Sequence, residues 1–257
     1  MKKTTIMEKS KTELRSPILV EGFPGLGMVG KIAVDYLSKQ LKARKLAELY
    51  SPHFAYFVLV TDDGSVRLLR SEFYYWKNEI GENDLILLTG DSQPQTIEGQ
   101  YEIADSILEF AKKKNVKFIV TIGGYRKEVE GEPQIFASAT NPELLNKALE
   151  AGAKNTSSGN PIVGMAGLLL GLAKFKEIDA VCLLVETPGY ISDPKAAKSV
   201  LRMLLKMLNL EVSLAGLDKE IRKSEQVVEK FRKIEEQMKI SDKRRQKIEE
   251  EKVSYIS

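Results

Sequence analysis

Three glycines, Gly25, Gly27 and Gly30, spell G-x-G-x-x-G between a short apolar run, Ile18 to Val20, and a stretch where Val29, Ile32, Ala33, Tyr36 and Leu37 recur at helical spacing. In a strand-turn-helix unit of this kind, glycines let the backbone approach a pyrophosphate held at the helix N-terminus, so the chemistry on offer is dinucleotide binding. The rest of that fingerprint is missing. It requires a second buried parallel strand ending in an acidic residue within roughly 30 residues. The next strand candidate, Leu46 to Tyr50, carries Glu48 in its middle, and Phe54 to Val60 then turns through Asp62, Asp63 and Gly64 into Val66 to Leu69, as a hairpin does. Gly22, Gly25, Gly27 and Gly30 are therefore read as glycines of a tight packing turn, with no cofactor.

Acid–base and nucleophilic chemistry have few candidates. Glu21, Asp91 and Glu186 fall at the ends of apolar runs, where paired carboxylates could exchange protons, but acidic residues there also cap helices and close turns. The single histidine, His53, stands in a Ser-Pro-His context, so a serine triad would depend on that one ring; a hydrogen-bonded loop histidine is the favoured reading. Cys182 is the single cysteine and sits in an apolar run, which excludes a disulfide framework and a cysteine metal site and suggests a reducing, cytoplasmic setting. No catalytic residue and no metal site is predicted.

The elements that must position these residues follow from the apolar pattern. Four apolar strands end in glycine or small polar residues: Ile18 to Val20 before Gly22, Asp84 to Thr89 before Gly90, Phe118 to Ile122 before Gly123 and Gly124, and Ala180 to Val185 before Gly189. Gly123, Gly124 and Gly189 are read as structural turns like those of the first block. Helical patterns cover Ile97 to Lys114, Pro142 to Ala151, Asn160 to Leu172 and Lys195 to Leu208. The third has little polar face and is expected in the interior. Tyr74, Tyr75 and Trp76, the densest aromatic patch, are assigned to the core or to an oligomer contact. Interleaved strands and helices predict a three-layer α/β/α sandwich with a mostly parallel central sheet, a core domain over residues 1–212, and a crevice outside the strand carboxyl ends.

Composition narrows the partners. The chain has 257 residues, and 39 Lys and Arg nearly balance 36 Asp and Glu; a net charge of +3 gives no basis for nucleic acid or a membrane surface. Met1 to Ser16 lacks an apolar core of signal-peptide length, and no stretch approaches the roughly 20 apolar residues of a membrane span. The expectation is a soluble, unexported protein.

Four blocks taken together resemble the proteasome assembly chaperone family of archaea. They are Gly-Phe-Pro-Gly-Leu-Gly-Met-Val-Gly at residues 22–30, Thr-Ile-Gly-Gly-Tyr at 121–125, Gly-Met-Ala-Gly-Leu-Leu-Leu-Gly at 164–171, and Glu-Thr-Pro-Gly-Tyr-Ile-Ser-Asp-Pro at 186–194. The resemblance implies a phosphorylase-like fold, no established catalytic activity, self-association, and interaction with proteasome α subunits. The alternative class is an α/β enzyme or nucleotide-binding protein using a crevice around Gly25, Gly123 and Glu186.

Residues 213–257 form a charged C-terminal extension. Leu217, Ile221, Val228 and Phe231 fall on one helical stripe, suited to packing against the protein's own domain or a sister subunit. Past Met238 the stripe stops, and the polar stalk ends in Val253, Ser254, Tyr255, Ile256 and Ser257. A free carboxylate beside Tyr and Ile can enter a groove that captures peptide ends. Proteasome activators dock with a similar hydrophobic-Tyr-any ending between α subunits, although Tyr255 here is third from the end and Ser254 stands where that motif has an apolar residue. Val253, Tyr255, Ile256 and Ser257 are thus candidates for binding the α ring of the 20S particle, set against a terminus that frays or folds back.

Overall fold

The computed structural model describes residues 1–227 and residue 229. The chain divides into two compact units, Met1–Leu214 and a second beginning at Ala215. In the first, β1 (Thr5–Glu8) and β2 (Ile18–Glu21) lead through a 3-10 turn, Leu26–Met28, into α1 (Val29–Gln40). β3 (Arg44–Tyr50), β4 (Val58–Val60), β5 (Val66–Leu68), β6 (Ser71–Trp76) and β7 (Leu85–Gly90) follow without an intervening helix. The order continues with α2 (Ile97–Lys113), β8 (Phe118–Arg126), β9 (Ile135–Ala139), α3 (Pro142–Ala151), β10 (Lys154–Asn155), α4 (Met165–Phe175), β11 (Ala180–Thr187) and α5 (Pro194–Leu208). In the second unit residues 215–227 are helical.

Nine strands make one mixed sheet in the order β1-β3-β6-β7-β2-β8-β11-β9-β10, and β4 and β5 pair as a separate hairpin. The expectation of a mostly parallel sheet is corrected here. The parallel pairings are those of the block β7-β2-β8-β11 and of β9 with β10, whereas β1/β3, β3/β6, β6/β7 and β9/β11 are antiparallel. The reason lies in the connections: β3 reaches β6 through the hairpin and β6 reaches β7 through a short loop. Neither has the crossover helix that a parallel neighbour requires.

Every residue of β2, β7 and β11 is buried, as expected of strands covered on both faces. Leu19, Ile86, Leu88 and Ile119 pack with Ile103, Ile107 and Leu108 of α2 and with Met165, Leu169 and Ala173 of α4. Their strand neighbours Ile18, Val20, Leu85, Leu87 and Val120 alternate to the opposite face and are equally buried. α2 packs against α4, while α5 packs against both α1 and α3. Caps set where the helices start: the side chains of Thr96, Asn141 and Asp193 accept from the backbone N–H of Gly99, Leu144 and Ala196, and Pro142 and Pro194 occupy first-turn positions of α3 and α5.

Three further features differ from the sequence expectation. β1 and β9 are strands in segments that carried no clear strand pattern. β8 does not turn at Gly123 and Gly124 but runs through them to Arg126, pairing with β11 as far as Thr187. α4 begins at Met165, after Gly164 at φ 83°, and its apolar sequence is only half used: Met165, Ala166, Leu169 and Ala173 are buried, whereas Phe175 is 84% exposed. Among the described residues no helix is long and apolar enough to cross a membrane.

Candidate functional site

All four glycine-containing blocks meet at the carboxyl end of the parallel strands. A Cβ on Gly22 would lie 2.1 Å from the carbonyl oxygen of Gly30, and one on Gly30 would lie 2.5 Å from that of Ile122. The first turn of α1 therefore rests directly on the backbone of β2 and β8, which only glycine permits. Gly27, at φ 60°, faces the Thr187 hydroxyl, and its carbonyl accepts from the backbone N–H of Asp193 at 2.8 Å. Thr187 Oγ1 in turn donates to Asp193 Oδ2 at 2.8 Å. Gly124, although in a strand, is needed for the same reason as the turn glycines, because its Cβ would stand 2.6 Å from the Leu26 carbonyl oxygen.

Gln93 ties in the last block. Its Nε2 donates to the Pro24 carbonyl at 2.7 Å, and its Oε1 accepts from the backbone N–H of Met165 at 3.1 Å. The sequence reading passed over this residue, and the only signal for it is a polar side chain placed just beyond Gly90 and Asp91. Gly25 is the one member of the fingerprint with room beside it, the nearest atom to a Cβ there being Gln93 Nε2 at 3.6 Å. The space a dinucleotide fingerprint reserves for phosphate is, at Gly22, Gly27 and Gly30, occupied by the chain's own atoms.

Each candidate carboxylate has its own partner. Burial pushes Asp91 upward, but the Arg67 guanidinium, at 2.5 and 2.9 Å, and the backbone N–H of Arg70 outweigh it and hold the group below the ordinary range. Burial likewise opposes ionisation of Glu186, and the Lys127 ammonium at 2.6 Å and the Gln134 amide at 3.1 Å overcome it. Glu21 has no cation. Its burial raises it to about 8 against the backbone N–H groups of Phe23, 3.0 Å from Oε1, and Ile122, so it is a neutral acid at pH 7.

His53 lies in the loop before the hairpin, with Nε2 3.2 Å from Glu102 Oε2 and Nδ1 3.2 Å from Thr96 Oγ1. Both ring nitrogens are thus engaged by groups other than a serine. Cys182 is fully buried, and its thiol is pushed up to about 12 by that burial. No group of three or more His, Cys, Asp or Glu among the described residues could hold a metal ion.

The same end of the molecule carries exposed apolar groups. Leu26 caps Gly124 and Gly189, the latter at φ 81°, and Tyr125 and Tyr190 stand exposed at the ends of β8 and β11, with the Arg126 guanidinium 4.8 Å from the Tyr190 ring. Beside them the β4–β5 hairpin is anchored through Arg67 to Asp91. Tyr74, Tyr75 and Trp76 lie in β6, an inner strand between β3 and β7, and are half-buried; the Tyr74 hydroxyl donates to Glu72 at 3.1 Å. Leu217 is buried and Ile221 half-buried. Val228, Phe231, Val253, Tyr255, Ile256 and Ser257 lie outside the described residues.

Comparison with known proteins places this arrangement among relatives. The sequence profile described as the PAC2 family matches residues 19–232. A crystal structure of Pyrococcus furiosus PbaB, described as an archaeal proteasome activator, is similar with a TM-score of 0.86 and 40% identity, covering 90% of this chain and 100% of that one. Pyrococcus furiosus PbaA, described as an archaeal homologue of proteasome-assembly chaperone, is similar with a TM-score of 0.74 and 29% identity over 96% of this chain and 97% of its own. A Methanocaldococcus jannaschii protein, MJ1210, is 35% identical over 226 residues, 88% of this chain and 86% of its own length.

Proposed function

The chain belongs to the PAC2 family, and from that membership we propose that it is a non-enzymatic proteasome assembly chaperone or activator-like scaffold. In this reading it is a cytoplasmic homo-oligomer that contacts proteasome α subunits through its C-terminal segment. The observation that carries the reading is the likeness to PbaB along that protein's whole length. The site geometry supports it. Of the glycines that could have cradled a phosphate, Gly27 and Gly30 are packed against the chain's own atoms, and Asp91 and Glu186 at the strand ends are each committed to a local cation, which supports a carboxyl end of the sheet that serves as a surface more than as a reaction centre.

The finer architecture belongs to the same proposal. The two helix groups are the outer layers of a phosphorylase-like three-layer sandwich over residues 1–212, and residues 213–257 are a separate charged C-terminal segment. Tyr74, Tyr75, Trp76, Leu217, Ile221, Val228 and Phe231 remain candidates for contacts between copies. Val253, Tyr255, Ile256 and Ser257 would dock as a set: several weak tails on one particle gain roughly 100-fold or more in avidity when reach matches site spacing.

Deleting residues 253–257 tests this. Binding to the 20S particle should weaken by at least about tenfold, given the avidity lost, with a matching change in 20S peptidase activity. Unchanged binding and unchanged peptidase activity would remove the tail from the mechanism.

A further inference from the structure

We propose that the outward face of the β4–β5 hairpin is where one copy of this chain meets a second. The inference deepens the self-association contained in the proposed function by naming the surface. The register pairs Val58 with Leu68 and Val60 with Val66, so these four side chains share one face, while Leu59 and Arg67 share the other. Arg67 turns toward the body and is bound there by Asp91. The face left to solvent is wholly apolar: Val60 is 72% and Val66 64% exposed and Val58 and Leu68 are about half exposed, and Tyr56 and Phe57, in the segment leading into β4, are exposed as well.

A two-stranded hairpin is marginal in water by itself, so this one is stiffened on purpose. Its tip is closed by Thr61 Oγ1 and the Ser65 amide donating to Asp63 Oδ1, with Gly64 at φ 79° completing the turn. Its base is held by backbone hydrogen bonds in both directions between Arg70 and Asp91, the latter through its side chain and its N–H. A rigid, uncharged sheet face of this size is not what solvent selects.

The area and the chemistry of the face both choose the occupant. The six side chains present on the order of 700 Å², close to the roughly 800 Å² each partner contributes to a stable interface. The face contains no charge that would call for a partner of opposite sign or repel an identical one. Two copies related by a twofold axis through the Val60–Val66 pair would match apolar residue to apolar residue, the isologous arrangement that closes without forming a filament.

The full-length chain tests this by light scattering after size exclusion. The parent should run as a multimer, and V60E/V66E should lower the particle mass at least twofold with the circular dichroism and thermal midpoint retained. A parent that is monomeric, or a folded double variant of parental mass, overturns the proposal. Should the double variant fail to fold, V60C in the parent background decides: Cys182 is buried, so brief treatment with diamide should join two Val60→Cys chains as a covalent dimer at micromolar protein. Absence of that dimer also overturns the proposal. Pull-down of parental protein on 20S particles is read separately, because a chain that multimerises through the hairpin yet ignores 20S defeats the proteasome reading and leaves this one standing.

Discussion

Arg67 grips both carboxylate oxygens of Asp91, at 2.5 and 2.9 Å, and so fastens a hairpin that is no part of the nine-stranded sheet to the end of that sheet's inner strand β7. Such forked pairs fix direction as well as distance. Because the hairpin shares no ladder with the main sheet, its pose depends heavily on this one contact and on the adjacent Arg70 backbone.

Replacing Asp91 with Asn should therefore loosen the hairpin selectively. Hydrogen exchange across residues 58–68 should quicken about tenfold, while global stability falls by only about 1–2 kcal/mol, as for a partly exposed pair. Acid should mimic the substitution. Asp91 is held below its ordinary range, so its contribution is present above the unfolded carboxylate value and is lost as pH falls through the lower folded value. Equal acceleration in β2 and β11 would show that the contact supports the whole fold.

Glu21 makes the opposite prediction. Its folded value, about 8, lies above the ordinary 4.5, so between those limits the native state holds a proton that the unfolded chain has released. Stability from this group is complete below about pH 4.5, declines as pH rises toward 8 and levels off beyond, the total being on the order of a few kcal/mol. Glu21→Gln should flatten the alkaline side of a denaturation-midpoint profile and raise stability at pH 9. A profile identical to that of the parent would mean that Glu21 is already ionised in the native protein.

Two neighbouring glycines should respond very differently to alanine. Gly30→Ala drives a methyl group into the Ile122 carbonyl oxygen, backbone against backbone, and should cost roughly 2–4 kcal/mol. Gly25 has φ −165°, an extended conformation open to any residue, and an ordinary contact distance to Gln93, so Gly25→Ala should shift stability by less than about 0.5 kcal/mol. Chemical denaturation of the two variants side by side checks both.

Gln93 should act as a clasp between the glycine turn and α4. Gln93→Leu removes the donor to Pro24 and the acceptor from Met165 together, leaving two backbone groups short of partners, and should cost about 1–3 kcal/mol. Gln93→Glu, which keeps the acceptor but loses the donor, should fall between it and the parent. Equal loss in both variants would assign the effect to the Pro24 bond alone.

Much of this was legible in the chain. Continuous apolar runs located β7 and β11, Asp62-Asp63-Gly64 located the hairpin, and α3 spans Pro142–Ala151 as its spacing predicts. Strand direction was not legible, since an apolar run reads the same whether its neighbour is parallel or antiparallel. β1 has four residues that are mostly exposed and show no alternation, so nothing in Thr5–Glu8 marks a strand. Gly123 and Gly124 looked like a turn because the loop carrying Leu26, which demands the glycine at 124, comes from nearly a hundred residues earlier. The site's glycines were visible, but their meaning rested on which distant backbone fills the space. The outward face of the hairpin was hidden for a related reason: Phe57, Val58, Leu59 and Val60 are all apolar, and only the tether from Arg67 to Asp91 decides which side turns away.

The large sheet ends in β1, four residues long, on one side and β10, the two residues Lys154–Asn155, on the other, and both are largely exposed. Stubs of this kind offer an incoming strand almost nothing to zip onto, so the sheet is a poor seed for fibrous growth. Copies joined through the hairpin as proposed above would, on parting, leave with their ladders intact, and could rejoin without the hazard of runaway strand addition.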